Sequence, residues 1–236
     1  MSSFFFAHPT VFPLCLLLIL CVGVQLTGGS PEDVPCRCHN REIPDETRLK
    51  IVEFHNHVRL QLASGETENR RGKLPSAKNM HKLIWSCYLE IEAEILMNSG
   101  RPDLTYRWRR SYGYNAITKY NPKEMPVDYT RDLKPVLESW WGEAKKYNQY
   151  KNYFNDLSVK DFANMASGNN TEIGCTYKVY ELFTHFICVY YFGAKQYKMI
   201  YELGPGPCNE HKNCTAYKDA LCAREGLCLK SSWNHV

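Results

Sequence analysis

The chain has 236 residues, 44% of them hydrophobic, and its 29 Lys and Arg against 25 Asp and Glu give a formal charge of +4. The basic residues are spread along the chain instead of forming a stripe, which argues against a nucleic-acid binder. Eleven cysteines are too many for a chain of this length to be read without disulfide chemistry.

Residues 11–24 are an almost unbroken run of Leu, Ile, Val, Cys, Phe and Pro, with small residues following at Thr27, Gly28, Gly29 and Ser30. This matches a secretory signal peptide over residues 1–29, with Thr27 and Gly29 at the cleavage positions, although the segment ahead of the run lacks Lys and Arg and offers only His8. The run is short for a membrane anchor, which needs about 20 apolar residues. The expectation is therefore cleavage, secretion to the extracellular space, and no transmembrane segment afterwards. Cleavage leaves 207 residues, enough for one domain and a small appendage. It also leaves nine cysteines: Cys36, Cys38, Cys87, Cys175, Cys188, Cys208, Cys214, Cys222 and Cys228. Outside the cell such density implies a disulfide framework. The odd number means that one cysteine is free, capped or paired between chains.

Residues 29–42 read as an extended arm tied down by Cys36 and Cys38. Pro44 opens a helix, with Asp45 and Glu46 favouring the positive end of its dipole, and it runs to Ala63 with Ile51, His55, Val58 and Leu62 on one stripe. His55 therefore points inward. It reads as a core histidine with one hydrogen-bond partner, because a lone imidazole is not a zinc site. Residues 65–79 are polar and read as a surface loop. Ser86 can cap a second helix through Met97, with Ile91, Ile95 and Met97 apolar and Glu90, Glu92 and Glu94 mostly facing water. Residues 100–121 carry Tyr106, Trp108, Tyr112, Tyr114 and Tyr120 at a spacing of mainly two, an irregular strand with flanking loop. These rings are either core and edge aromatics or a platform for a flat apolar ligand.

After a break at residues 122–128, a helix over residues 129–147 places Val136, Trp140, Glu143 and Tyr147 on one stripe, with Leu133, Leu137 and Ala144 beside it. A carboxylate among such neighbours needs a partner or a raised pKa. Residues 161–192 read as a short helix, a polar turn, a strand over 172–180, a bend and a strand over 184–192. A Cys175–Cys188 disulfide would staple that hairpin. Gly204-Pro205-Gly206-Pro207 is a hinge-like break. The tail over residues 204–236, with Cys208, Cys214, Cys222 and Cys228 and little apolar content, must be held by disulfides. Asn169 and Asn213 open two glycosylation sequons.

Several ordered landmarks make the chain resemble the CAP superfamily of cysteine-rich secretory proteins, insect venom antigens and plant pathogenesis-related class 1 proteins. His55-Asn56-His57-Val58-Arg59 fits the family's HNxxR. Asn79-Met80 with Leu83, Trp85 and Leu89-Glu90 fits the entry to its second helix. Trp140-Trp141-Gly142-Glu143 with Tyr147-Asn148 fits WY.E...YN. Asp161-Phe162 through Gly174-Cys175 fits HFTQMVW...VGC, and Cys188-Val189-Tyr190-Tyr191 fits C.YY. Together they span residues 45–195, and Pro207-Cys208 with Gly226-Leu227-Cys228 resembles the cysteine-rich hinge of some members. The arm cysteines and the long charged loop look most like the venom allergen-like proteins of parasitic worms. The resemblance implies an α+β fold, a three-layer α-β-α sandwich with a central antiparallel sheet, over residues 30–203, followed by the hinge-like tail.

The family's central cavity usually carries two histidines and two glutamates able to bind a divalent cation. Here Asp161 stands at one His position and Tyr114, in Gly113-Tyr114-Asn115, at one Glu position. Residues 96–108 contain no His for the other position, and only Glu143 matches. That remnant, Glu143, Asp161 and Tyr114, makes a poor zinc site and would hold a hard cation only weakly, with added backbone ligands and water, so no metal and no cofactor is expected. Ser111, Ser167 and His185 come without a nucleophile-elbow or HExxH motif, and no enzymatic activity is expected.

Family precedent points instead to a carrier of sterols and fatty acids. The sterol candidates are Tyr106, Trp108, Tyr112, Tyr114 and Tyr120, an approximate match to the aromatic loop pattern of sterol-binding members. A fatty acid would lie between the first and last long helices against Val58, Leu62, Trp140 and Trp141. The alternative is an effector that binds host extracellular proteins, a channel or receptor among them, through surface loops or the tail.

Overall fold

The computed structural model describes residues 38–40, 42–98, 112–120, 127–147, 152–180 and 183–231. The signal-peptide reading, Cys36, Tyr106 and Trp108 lie outside these residues, as does the side chain of Tyr120.

Helix α1 (Asp45–Ala63) follows Pro44 at φ −65°, ψ 149°, with Asp45 and Glu46 in its first turn. Ile51, His55, Val58 and Leu62 are all buried. Gly65 at φ +70° ends it, its N–H donating to Leu62 O at 3.0 Å, a left-handed exit that suits glycine. The loop expected at 65–79 holds three short strands: β1 (Glu68–Asn69), β2 (Gly72–Lys73) and β3 (Ala77–Lys78). β4 (Ile84–Trp85) leads into α2 (Cys87–Asn98), and β5 (Gly113–Tyr120) follows.

The helix expected over 129–147 is three pieces. A π-helical turn (Tyr129–Leu133) capped by Asp128 leads into α3 (Lys134–Gly142), and a 3₁₀ turn (Glu143–Lys146) follows. Pro135 has no N–H to donate to an i−4 carbonyl, and the widened turn ahead of it accommodates the gap. Next come β6 (Tyr153–Phe154), α4 (Lys160–Ala166), β7 (Glu172–Val179) and β8 (Phe183–Tyr190). The chain continues with β9 (Lys198–Met199), β10 (Glu202–Leu203), β11 (Leu221–Cys222) and β12 (Cys228–Leu229).

The main sheet has the order β4-β7-β8-β5. Its three long strands are antiparallel, and β4 adds two residues in parallel to β7. Cys175 and Cys188 face each other across β7 and β8 and are bonded. One face of the sheet meets α1 and α3 through a cluster of Ile51, Val52, Val58, Leu137, Trp140 and Phe186, with Trp140 stacked on Phe186 at 5.4 Å. The other face meets α2 through Leu89, Ala93, Leu96, Ile187 and Val189. This is the α-β-α sandwich. Gly174 sets the closeness of the α2 layer, because a Cβ there would sit 2.2 Å from Glu90 N.

The α2 face differs from the expected one. Glu90 and Glu92 are buried, while Ile91 and Ile95 are 39% and 41% exposed. The sheet fixes the helix phase through Leu89, Ala93 and Leu96, at i, i+4 and i+7, and this turns Glu90 inward. Its charge is met by Arg48, which donates to Oε2 at 2.9 Å and to Oε1 at 2.7 Å, and by Trp85 Nε1. Buried charges persist only with such pairing.

Arg59 is buried without a carboxylate. Its five N–H groups donate to the backbone oxygens of His81, Met165, Ser167, Gly168 and Asn170 at 2.7–3.4 Å. Those are all the donors a guanidinium has. Burial pulls its pKa down to about 9, so it remains a cation at neutral pH.

Among the described residues four disulfides close the framework: Cys38–Cys87, Cys175–Cys188, Cys208–Cys222 and Cys214–Cys228. They account for eight of the nine cysteines after residue 29, and Cys36, outside the described residues, is the ninth. The tail packs on the domain. Cys228 N donates to Met80 O, Lys82 N donates to Cys228 O, and Leu227 sits fully buried in the cluster that holds Leu62 and Phe162.

Replacing Arg59 with Leu would remove a donor from five buried carbonyl oxygens, of which Ser167 O and Gly168 O keep another, from Asn170 N and His81 N. The predicted loss exceeds about 3 kcal/mol of stability, measured as a drop in the urea midpoint. Arg59→Lys keeps the charge but only three donors and recovers part of the loss. A wild-type midpoint in Arg59→Leu would contradict this role.

Candidate binding site

Glu143 starts the 3₁₀ turn after α3 and is half-buried. Its Oε2 accepts the N–H groups of Asp161 at 2.9 Å and Phe162 at 3.1 Å, at the start of α4. Burial raises its pKa, the two N–H bonds oppose the shift, and the Asp161 charge adds to it. Asp161 Oδ1 pairs with Lys160 Nζ at 3.1 Å. The same ammonium donates to Tyr114 O at 2.9 Å and lies 4.6 Å from the centre of the Tyr114 ring. The three remnant residues thus meet around an internal cation. Tyr114 takes part through its carbonyl and the face of its ring, while the ring also packs against the α2-side cluster.

Next to this group lies a buried polar chain in which His55 is joined by Asn115, Asn164 and Tyr190, three residues that the sequence did not single out as functional. Asn115 Nδ2 donates to Asp161 O at 2.9 Å and to Tyr190 Oη at 3.3 Å, and its Oδ1 accepts from Asn164 Nδ2 at 2.9 Å. His55 closes the chain, with Nδ1 2.8 Å from Ile51 O and Nε2 3.0 Å from Tyr190 Oη. Ile51 O can only accept, so Nδ1 carries the proton and Nε2 accepts from Tyr190. His55 therefore has two partners, not the one expected. Asn115 and Tyr190 both fall inside the quoted motifs, so the motif neighbours were the available signal. The network is closed and His55 is fully buried, an arrangement suited to fixing geometry and poorly suited to exchanging protons with a substrate.

The donors here include two carboxylates and no imidazole facing them. Glu143 Oε2 is engaged by two amides and Asp161 by an ammonium, so a divalent cation would have to compete with Lys160 for the same charge. Elsewhere among the described residues the sulfurs of Cys208, Cys214 and Cys228 lie close together, but all three are in disulfides.

The expected groove residues divide between two parts of the core. Val58 and Trp140 are buried in the cluster between α1, α3 and the sheet, and Leu62 in the neighbouring one. Trp141 is partly buried, packs against both, and meets Phe162 edge-on at 5.0 Å. Of the sterol candidates, Tyr112 and Tyr114 pack beside α2 with Tyr191, and the Tyr112 and Tyr191 rings lie 5.9 Å apart. Two residues further along β5 an open cleft of about 230 Å³ begins. It is lined by Leu96 and Met97 of α2, Ala116, Ile117 and Thr118 of β5, and His185, Phe186 and Ile187 of β8, with Tyr180 at its rim. Its polar groups are few, and Thr118 Oγ1 lies 3.2 Å from His185 Nδ1. Asn169 and Asn213 are both exposed.

Known proteins share this architecture. Residues 52–191 match the family profile described as CAP: Cysteine-rich secretory protein family. The Ancylostoma secreted protein of Ancylostoma caninum is 30% identical over 209 residues, covering 88% of this chain and 48% of that protein. The chain thus spans about half the length of that relative. Venom allergen 5 of Vespula maculifrons is 26% identical over 155 residues, 58% of this chain and 71% of its own. Among solved structures, Na-ASP-1 superposes with a TM-score of 0.74 at 29% identity, over 84% of this chain and 49% of that one. BmVAL-1 does so with 0.71 at 29% identity, over 83% and 99%.

Two buried histidines give stability a pH dependence. Burial pulls His55 from its ordinary 6.5 down to about 4, with the Arg59 charge adding to the shift. His81 falls to about 4 for the same first reason. The unfolded chain takes up these protons first, so the stability they represent is complete above pH 6.5 and is lost as pH falls from 6.5 towards 4. Glu143, with its raised pKa, acts in the opposite sense. Urea midpoints are predicted to fall across that window, with a shallower slope in His81→Gln. A flat profile between pH 6.5 and 4 would contradict the burial of the two imidazoles.

Proposed function

The chain belongs to the CAP family of cysteine-rich secretory proteins, with venom allergen-like relatives, and from that premise we propose that it is a secreted, non-enzymatic lipid-binding protein. The observation that carries this reading is the apolar cleft between the end of α2 and the outer face of β5 and β8. At about 230 Å³ it is smaller than the ~300–1,000 Å³ of sites that engulf a drug-sized ligand. It therefore suits one end of a sterol or a stretch of acyl chain, with the remainder lying along the aromatic segment. Tyr112 and Tyr114 begin that platform, and in this reading Tyr106, Trp108 and Tyr120 extend it. A fatty acid seated between α1 and α3 would have to part Val58, Leu62 and Trp140, which are buried, so the α2 cleft is the better candidate for an acyl chain.

Two further parts of the reading follow from the site. The Glu143–Asp161 remnant serves the fold instead of a metal, because Lys160 already supplies the positive charge. Secretion agrees with the four disulfides and the secreted relatives. No helix among the described residues is long and apolar enough to cross a membrane. Glycans on Asn169 and Asn213 belong to the same reading.

A second reading, an effector that engages host extracellular proteins, draws support from the tail, where two disulfides hold β11 and β12 as a pre-organised surface. Because Leu227 and Cys228 are built into the domain, point changes on the exposed tail separate the readings better than deletion of residues 204–236.

Ala116 is exposed and lines the cleft, so Ala116→Trp should fill it without disturbing the core. Wild-type protein is predicted to take up labelled cholesterol or palmitate saturably, and Ala116→Trp to weaken that uptake at least tenfold with an unchanged melting temperature. No saturable uptake of either lipid by the wild type would sink the proposal.

A further inference from the structure

At the end of the molecule carrying β6 and β9, three large apolar side chains point into solvent. Leu157 is 62% exposed, Tyr197 61% and Met199 48%. They belong to one small unit. Met199 pairs with Tyr153 across the β6–β9 ladder, Tyr197 N donates to Phe154 O, and Leu157 lies three residues beyond Phe154, whose buried ring anchors the unit in the core. Scattered exposed apolar residues are ordinary, but three carried by one two-stranded ladder and the segments that flank it mark a surface suited to interaction.

Tyr197 stands out by its backbone. The turn is closed by Lys198 N donating to Lys195 O, and Tyr197, at its third position, has φ 64°. That position favours Gly or Asn, and a bulky aromatic there is strained. Among the described residues the other two non-glycine residues with positive φ are Asn79 and Asp219, types that tolerate it. Since the Tyr197 ring is largely in water, the fold draws little packing from it in return. Strain kept at an exposed aromatic points to use outside the fold.

The charge around it selects the partner. Lys195 and Lys198 flank Tyr197 and are exposed. The nearby acid, Asp156, is turned onto the Ser158 N–H at 2.8 Å, with exposed Lys146 close enough to act on its charge. Apolar and aromatic tips flanked by lysines match an anionic bilayer surface, where rings and aliphatic chains enter the interface and ammonium groups meet phosphates. We propose that the Lys195–Met199 turn, with Leu157, docks the protein reversibly on membranes rich in anionic phospholipid. This goes beyond lipid binding in the α2 cleft and stands on separate residues.

The test is co-sedimentation of the full secreted chain with vesicles of phosphatidylcholine alone and of phosphatidylcholine mixed with phosphatidylserine. Binding is expected to the mixed vesicles and to fade with added salt. A Lys195→Gln/Lys198→Gln double variant should bind roughly thirtyfold more weakly. Tyr197→Gly should also bind more weakly while its melting temperature stays level or rises, since glycine relieves the strained turn. A merely structural tyrosine would show the reverse. Wild-type protein that ignores anionic vesicles overturns the proposal, as does equal binding by the variants. So does a patch that cross-links to another protein while vesicles leave it unoccupied. Ala116→Trp should dock normally, so failure of cargo uptake and failure of docking remain distinguishable.

Discussion

Arg59 is the constraint on which the rest of the structure depends. A guanidinium taken fully out of water must find acceptors for five N–H groups, and here every one is a backbone carbonyl. Those carbonyls come from the segment before β4, from the last turn of α4 and from the turn between α4 and β7. One side chain of α1 therefore fixes where two other segments run, and their positions set the entry to the sheet. The tail is coupled to the same point, because its Cys228 runs beside His81, whose carbonyl Arg59 holds. The helix, the hairpin and the cysteine-rich tail thus share one anchor.

A second buried guanidinium does comparable work by different means. Arg48 is neutralised by Glu90 and joins the first turns of α1 and α2, while Cys38–Cys87 ties the arm to the same place. Between these two anchors the polar centre is neutral: imidazole, phenol and two amides in a closed chain. Beside it Lys160 meets a carboxylate, a carbonyl and an aromatic face, those of Asp161 and Tyr114. The closed chain of hydrogen bonds links α1, α4, β5 and β8.

Much of the fold was legible because its landmarks sit in local patterns. Pro44 with two acids marks the start of α1, the stripe from Ile51 to Leu62 marks its buried face, and Cys175 and Cys188 mark the stapled hairpin. The inward face of Glu90 was not legible. Its burial depends on Arg48, 42 positions away, and on a helix phase set by contact with the sheet, whereas Ile91 and Ile95 gave the apolar pattern that points to water. The pieces of the 129–147 segment were hidden for a related reason, since Pro135 alters hydrogen bonding without altering the apolar stripe. At the candidate site, Glu143 was identifiable as a carboxylate needing partners, but those partners are backbone N–H groups, which carry no sequence signal. Lys160 could be recognised only once Tyr114 and Asp161 stood around it.

Whether the centre serves the fold while an apolar cleft takes the ligand is tested most directly by native mass spectrometry of the secreted protein purified without detergent. The predicted spectrum shows a mass increment of a sterol or fatty acid that persists under gentle activation and is lost from Ala116→Trp, with no divalent-metal increment. A stoichiometric zinc or manganese adduct on lipid-free protein would contradict both halves of that claim.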